Sequence, residues 1–243
     1  MSNILGCKVG DFPFDYLGIK VGANMNRVCH WSSVVETVSS RLSKWKADSL
    51  SMGGRLTLIK SVLSNLPIYY LSLYKAPVEI VEQIERLMRS FLWGGSNGVN
   101  KMHWVSWDIV TSPKSDEGLG ISRLSDVNIA LITKLAWRFK RDPHSSWRRT
   151  IEAIHGGKGR WRFFPINNSQ PGCWKSMITL VGNLKLGGKE IHNIIRGSVG
   201  SGTEVSFWHD IWYGMTNLCQ RWPCLFSLEK KQKMHGLGQI TGS

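Results

Sequence analysis

Long apolar runs are missing from this chain. No segment approaches the ~20 consecutive apolar residues that a membrane-spanning helix needs. The opening Met1-Ser-Asn-Ile-Leu-Gly-Cys7 lacks the charged start and apolar centre of a secretory signal. Both absences predict an intracellular protein, nuclear or cytoplasmic, with no membrane partner. Acidic residues are scarce: 17 Asp+Glu stand against 31 Lys+Arg. The aspartates (Asp11, Asp15, Asp48, Asp108, Asp116, Asp126, Asp142 and Asp210) are scattered, and no two are adjacent. Two-metal phosphoryl chemistry needs clustered carboxylates, so no catalytic residue is assigned and no cofactor is expected in the chain. Cysteine is sparse and odd in number, at Cys7, Cys29, Cys173, Cys219 and Cys224, which suits free thiols in a reducing compartment. The histidines (His30, His103, His144, His155, His192, His209 and His235) form neither a His-x-x-x-His pair nor a His/Cys quartet, so no metal site is expected. Nothing points to a small-molecule substrate.

What is present is cationic and rich in tryptophan. The formal net charge of +14 calls for an anionic partner, most simply nucleic acid, because neutralised phosphates release condensed counterions. With 243 residues, 42% of them hydrophobic, the chain is long and apolar enough to build a core.

The apolar periodicity is mainly helical. Residues 9–22 are aromatic and glycine-bounded and predict one or two strands with a turn. These strands lack an evident partner sheet in the sequence, which sets the expectation that a complete fold would start further upstream. Trp31, Val34, Val35, Val38, Leu42 and Trp45 mark a helix over 28–47. Gly53-Gly54 is expected to break it in a tight turn. A second helix is predicted over 55–65, stopped by Pro67. Pro77 opens a third that reaches Trp93, with Val81, Ile84, Met88 and Phe91 inward and Glu82, Glu85, Arg86 and Arg89 outward. A short strand is predicted near 102–107, then a helix capped by Ser125/Asp126 and running to Lys140, and another over 146–154. Cys173–Leu186 suits a helix, 199–207 a hairpin around Gly-Ser-Gly, and the polar end from Ser227 a disordered tail. The fold expected is mainly α, a helical bundle with a few short strands at the N-terminus and in the C-terminal third.

Two basic clusters carry the functional reading. The first is Arg41, Lys44, Lys46, Arg55 and Lys60, opposed locally only by Asp48. The second spans 137–162, where Arg138, Lys140, Arg141, Arg148, Arg149, Lys158, Arg160 and Arg162 are interleaved with Trp137, Trp147 and Trp161. Cations mixed with aromatics suit backbone contacts plus base stacking; a solvated helix face is the plainer fate of a charge run. Trp45, Trp137 and Trp147 are placed in the core, and the Lys158–Arg162 stretch is the better contact. Arg41, Lys44, Lys46, Arg55, Lys60, Arg148, Arg149, Lys158, Arg160 and Arg162 form the candidate nucleic-acid-binding set. The Tyr69-Tyr70-Leu-Ser-Leu-Tyr74 run is read as a buried connector and His209-Asp210 as structural.

Several blocks resemble the reverse transcriptases of plant non-LTR, LINE-type retrotransposons, in the region beyond the catalytic palm. They are Phe12-Pro-Phe-Asp-Tyr-Leu-Gly-Ile-Lys-Val-Gly22, Arg41-Leu-Ser-Lys-Trp-Lys46, Gly53-Gly-Arg-Leu-Thr-Leu-Ile-Lys-Ser-Val-Leu63, Leu66-Pro-Ile-Tyr-Tyr-Leu-Ser-Leu-Tyr74 and Phe91-Leu-Trp-Gly-Gly95. Glu117-Gly-Leu-Gly-Ile121, Asn128-Ile-Ala-Leu131, Lys134-Leu-Ala-Trp-Arg138 and Phe207-Trp-His-Asp-Ile-Trp212 continue the series. The resemblance implies an RNA-directed DNA polymerase fragment that holds an RNA/DNA template–primer. Its Mg²⁺ ions would belong to the absent palm and fingers, so the chain alone is expected to be inactive. It also implies an organisation of 1–22 as the end of the palm, 23–154 as a thumb-like helical domain, 155–172 as a basic linker, 173–226 as a small α+β segment and 227–243 as a tail. A stand-alone, non-enzymatic nucleic-acid-binding module and a non-functional transposon relic are the alternatives.

Overall fold

A computed structural model describes residues 12–45, 49–94, 102, 104–142, 144–156, 164–170, 172–186, 188–191, 207–209, 211–214 and 216–234. Two compact units divide the chain: Met1–Ala136 with Gly172–Met177, and Trp137–Pro171 with Ile178–Ser243.

The first unit opens on a hairpin, β1 (Phe14–Tyr16) against β2 (Ile19–Val21), antiparallel with Asp15 opposite Lys20. Leu17 and Gly18 both take positive φ, 50° and 77°, the primed-turn geometry whose twist matches that of the strands. Tyr70 ties the hairpin down by donating its hydroxyl to the Gly18 carbonyl at 2.5 Å.

A 3-10 turn at Val28–Trp31 leads into α1 (Ser32–Lys44). Helix α2 (Met52–Leu58) follows and widens into a π turn at Ile59–Leu63. Gly53 and Gly54 are not the expected break. They lie in the first turn of α2 without positive φ, and Ser51 caps that turn by accepting from the Gly54 amide at 3.2 Å. Serine is a good N-cap, so the helix begins ahead of its glycines. Helix α3 (Ile68–Leu73) holds Tyr69 and Tyr70, with Tyr74 just past its end and Tyr69 exposed rather than buried as expected, and α4 (Val78–Leu92) begins after Pro77. Where a strand was expected near 102–107, the described part holds no strand; α5 (Trp107–Val110) starts there, capped by Ser106. Residues 106–109 offer a polar cap followed by a helical turn, not an alternation.

Helix α6 (Leu124–Arg141) is the longest among the described residues. Ser125 and Asp126 sit inside it rather than capping it. The core of the first unit gathers Trp31, Val34, Val38, Ile59, Leu63, Leu71, Ile80, Ile84, Met88, Phe91, Leu92, Ile121 and Leu124 from these elements. Its helical stripes pack face to face because each is apolar on one side only.

Asn128 is the polar residue that locks this unit. Its side chain is buried; Nδ2 donates to the carbonyls of Leu71 at 2.6 Å and Tyr74 at 2.8 Å, and Oδ1 accepts from the Ala76 amide at 3.0 Å. Carbonyls at a helix end have no intrahelical partner, and here α6 supplies one to the end of α3.

The second unit takes the end of α6 and contains α7 (Ser146–His155), with Phe139 packed edge-on against Trp147 at 5.6 Å. Helix α8 (Cys173–Asn183) continues into the short pair β3 (Lys185–Leu186) and β4 (Lys189–Glu190). Helices α9 (Leu218–Arg221) and α10 (Pro223–Met234) follow, and α10 continues into the stretch that read as a loose polar tail. The hairpin expected over 199–207 lies outside the described residues, apart from Phe207. In the Phe207–Trp212 block, Trp208 and His209 both pack against Phe226, at 5.5 and 5.4 Å, a structural use of His209; Asp210 lies outside the described residues. Among the described residues no helix is long and apolar enough to cross a membrane.

Candidate nucleic-acid interface

The last turn of α1 separates its residues by face. Leu42 and Trp45 turn inward, Trp45 meeting the Phe91 ring at 5.7 Å. Arg41 and Lys44, three residues apart and therefore neighbours on the helix surface, stay exposed. Neither makes an ion pair among the described residues. Cations also suit the negative end of a helix, so their position favours the fold while leaving their charge open to a ligand. Lys46, with the opposing Asp48, lies outside the described residues.

Arg55 and Lys60 behave differently. Arg55 is half-buried in α2, and its Nε is out of solvent. Lys60 leaves the π turn toward the loop at Gly120. A Cβ placed on Gly120 would stand 3.7 Å from the Lys60 Nζ and 3.7 Å from the Lys114 Cε. Two cationic arms from distant parts of the sequence therefore converge on one exposed glycine. The loop is braced to make this possible: the Gly118 amide donates to Pro113, Leu119 to Val110 and Gly120 to Ser112, at 3.0, 3.1 and 3.1 Å. At Gly118 a side chain would start 2.0 Å from the Ser112 carbonyl oxygen, so only glycine allows that approach. Lys114 was not among the residues the sequence singled out. The glycines of Glu117-Gly-Leu-Gly-Ile121 are the only local trace of the tight loop, and nothing local says which helix it folds against.

A cleft of about 430 Å³ lies between α4, α5 and the start of α6, lined by Glu85, Arg89, Trp107, Asp108 and Arg123. Its charges answer one another. Glu85 accepts from the Trp107 indole at 3.1 Å and from the Leu124 amide at 2.9 Å, Arg89 sits over the Trp107 ring at 5.4 Å, and Arg123 pairs with Asp108. Glu85 and Arg89 are therefore not the outward residues of the helical pattern. They join three elements, and Glu85 serves as the cap of α6 that Ser125 and Asp126 do not provide. Burial pushes the Tyr74 phenol above its ordinary range, with Cys173, Tyr70 and Tyr69 adding to the shift, so it stays a neutral hydroxyl at physiological pH.

In the second unit the basic cluster separates into structural and exposed members. Lys140 is buried over the Phe164 ring at 4.4 Å. Arg148 is engaged inside the fold, with Nε 2.8 Å from Glu152, a bond from its guanidinium to the Phe139 carbonyl at 3.3 Å, and the Phe139 ring 5.2 Å away. Arg138, Arg141 and Arg149 are exposed. Trp147 is half-buried against Phe139, in keeping with a core role, but Trp137 is 44% exposed and not a core residue. Lys158, Arg160 and Arg162, with Trp161, lie outside the described residues.

No known family profile matches the chain. Three proteins are similar to it. The "Putative ribonuclease H protein" of Arabidopsis thaliana is 34% identical over 185 residues, 75% of this chain and 29% of that protein. An uncharacterized mitochondrial protein of Arabidopsis thaliana is 26% identical over 150 residues, 60% of this chain and 92% of its own length. The Transposon TX1 uncharacterized 149 kDa protein of Xenopus laevis is 29% identical over 136 residues, 54% of this chain and 10% of that protein. The match thus spans less than a third of the first relative and a tenth of the third. One of these relatives is thus described as a putative ribonuclease H protein and another as a transposon protein.

Proposed function

We propose that the chain is the thumb-like, post-palm part of a LINE-type reverse transcriptase and grips the sugar–phosphate backbone of a template–primer without reading its sequence. The observation that carries this reading is the convergence of Lys60 and Lys114 at Gly120, in a unit whose Arg41 and Lys44 also face solvent. Phosphate contacts of this kind position a duplex and carry no base information. The +14 charge and the transposon-encoded relative support the same reading. No catalytic role is part of this proposal, since the sequence contains no Asp-Asp pair of the kind a two-metal site uses.

The test is the double variant Lys60→Glu/Lys114→Glu against wild type, by filter binding to an RNA–DNA duplex over a range of salt. Each lost phosphate contact removes roughly 0.9 from the slope of log K against log salt. A slope shallower by about 1–2 and a loss of at least tenfold at low salt are expected. An unchanged slope in a variant that melts like wild type would remove these lysines from the interface.

A further inference from the structure

We infer that Trp137 is a base-stacking platform, and that the exposed end of α6 holds an unpaired nucleotide of a single-stranded polynucleotide while Arg141 and Arg138 contact its flanking phosphates. This rests on the nucleic-acid reading above and extends it from backbone to base. Helix α6 buries Asn128, Ile132, Ala136, Phe139 and Lys140 along its inner side. Trp137 falls outside that stripe, with 44% of its surface in solvent. An indole is a large apolar body that is mostly buried in folded proteins, so one left open beside cations calls for an occupant.

The cations are in place. Arg141 is four residues on from Trp137 and so projects from the same face one turn later. Arg138 is the next residue in sequence and leaves the helix on the neighbouring face; its contact with Asp142 is long and exposed, Nε to carboxylate 3.4 Å, of the kind that contributes little and yields readily to a phosphate. Elsewhere in this protein guanidinium groups already lie over aromatic rings: Arg89 over Trp107, Arg148 over Phe139 and Arg221 over Trp222. Among the described residues neither a ring nor a cation covers Trp137. The charge selects a polyanion, and the free ring selects within that class. In a duplex each base face is already stacked, whereas a single strand offers faces to an aromatic side chain.

The experiment uses the full chain and three forms: wild type, Trp137→Ala and Trp137→Phe. Fluorescence anisotropy reads binding of a short labelled single strand, made once as DNA and once as RNA, and of the duplex of the same sequence. Loss of one stacked base lowers single-strand affinity by about tenfold. The expected result for Trp137→Ala is that loss on the single strands, with duplex affinity and the salt slope kept within about twofold and Trp137→Phe recovering most of the loss. Equal single-strand affinity for Trp137→Ala and wild type would overturn the inference and leave the backbone reading standing; the exposed indole would then serve some other partner. An equal loss on duplex and single strand would overturn it as well. Wild type that binds none of the three probes in a salt-dependent way would overturn both.

Discussion

Asn128→Asp lowers the unfolding free energy by about 3–5 kcal/mol, because it strips partners from buried backbone groups. Asn128 is 4% exposed, and its side chain makes three bonds, one to Leu71 in α3 and two to Tyr74 and Ala76 in the segment that leads to α4. Aspartate is nearly isosteric, so no cavity forms. It keeps an acceptor for the Ala76 amide but loses both N–H donors, and its carboxylate faces the carbonyl oxygens of Leu71 and Tyr74. Each buried group left unmatched costs about 1–3 kcal/mol, and a charge held against two carbonyls adds to that. At roughly 2–4 °C per kcal/mol for a chain of this size, the thermal midpoint followed by circular dichroism should fall by about 10 °C. A shift of about a degree would mean that Asn128 does not link α6 to the end of α3 as described.

Trp31→Ala has a comparable effect by a different route. Trp31 is fully buried at the entrance to α1, its indole N–H donates to the Met25 carbonyl at 2.9 Å, and its ring meets Tyr70 at 5.7 Å. Truncation removes a large apolar surface and leaves a cavity, about 3–5 kcal/mol, and it orphans the Met25 carbonyl for about 1 kcal/mol more. Trp31→Phe separates the two contributions: it keeps most of the ring and loses the N–H, so it should recover more than half of the stability. Urea titration measures both. Equal destabilisation by phenylalanine and alanine would show that the hydrogen bond, not the packing, dominates.

These two residues show how the sequence divides into legible and illegible parts. Trp31 was visible, because Trp31, Val34, Val38 and Leu42 recur at the helical spacing that any one-sided helix needs. The same periodicity located α4 after Pro77, α6 and α7, and the aromatic Leu-Gly turn located the β1–β2 hairpin. Asn128 was visible only as part of a family block, since a buried amide that caps a different helix leaves no period. Glu85 looked like an outward residue of α4 for the same reason: its partners, the Leu124 amide and the Trp107 indole, belong to elements far along the chain. Lys114 and Trp137 show the limit at the candidate interface. Local pattern identified Lys60, but its convergence with Lys114 depends on a loop braced by backbone bonds. It assigned Trp137 to the core because tryptophan usually goes there, and only the rotation of α6 about its own axis exposes it. Arg148 shows the converse case, a cation from the basic run that the fold itself uses.

The central claim is that an excess of unpaired surface cation grips phosphate without regard to sequence. Its most direct test is the affinity of the wild-type chain for two RNA–DNA duplexes of unrelated sequence across a salt series. The account predicts that both affinities fall together and linearly in log K against log salt, with a slope of about −3.6 or steeper, the value for four phosphates. A flat response, or strong binding to one sequence and not the other, would contradict it.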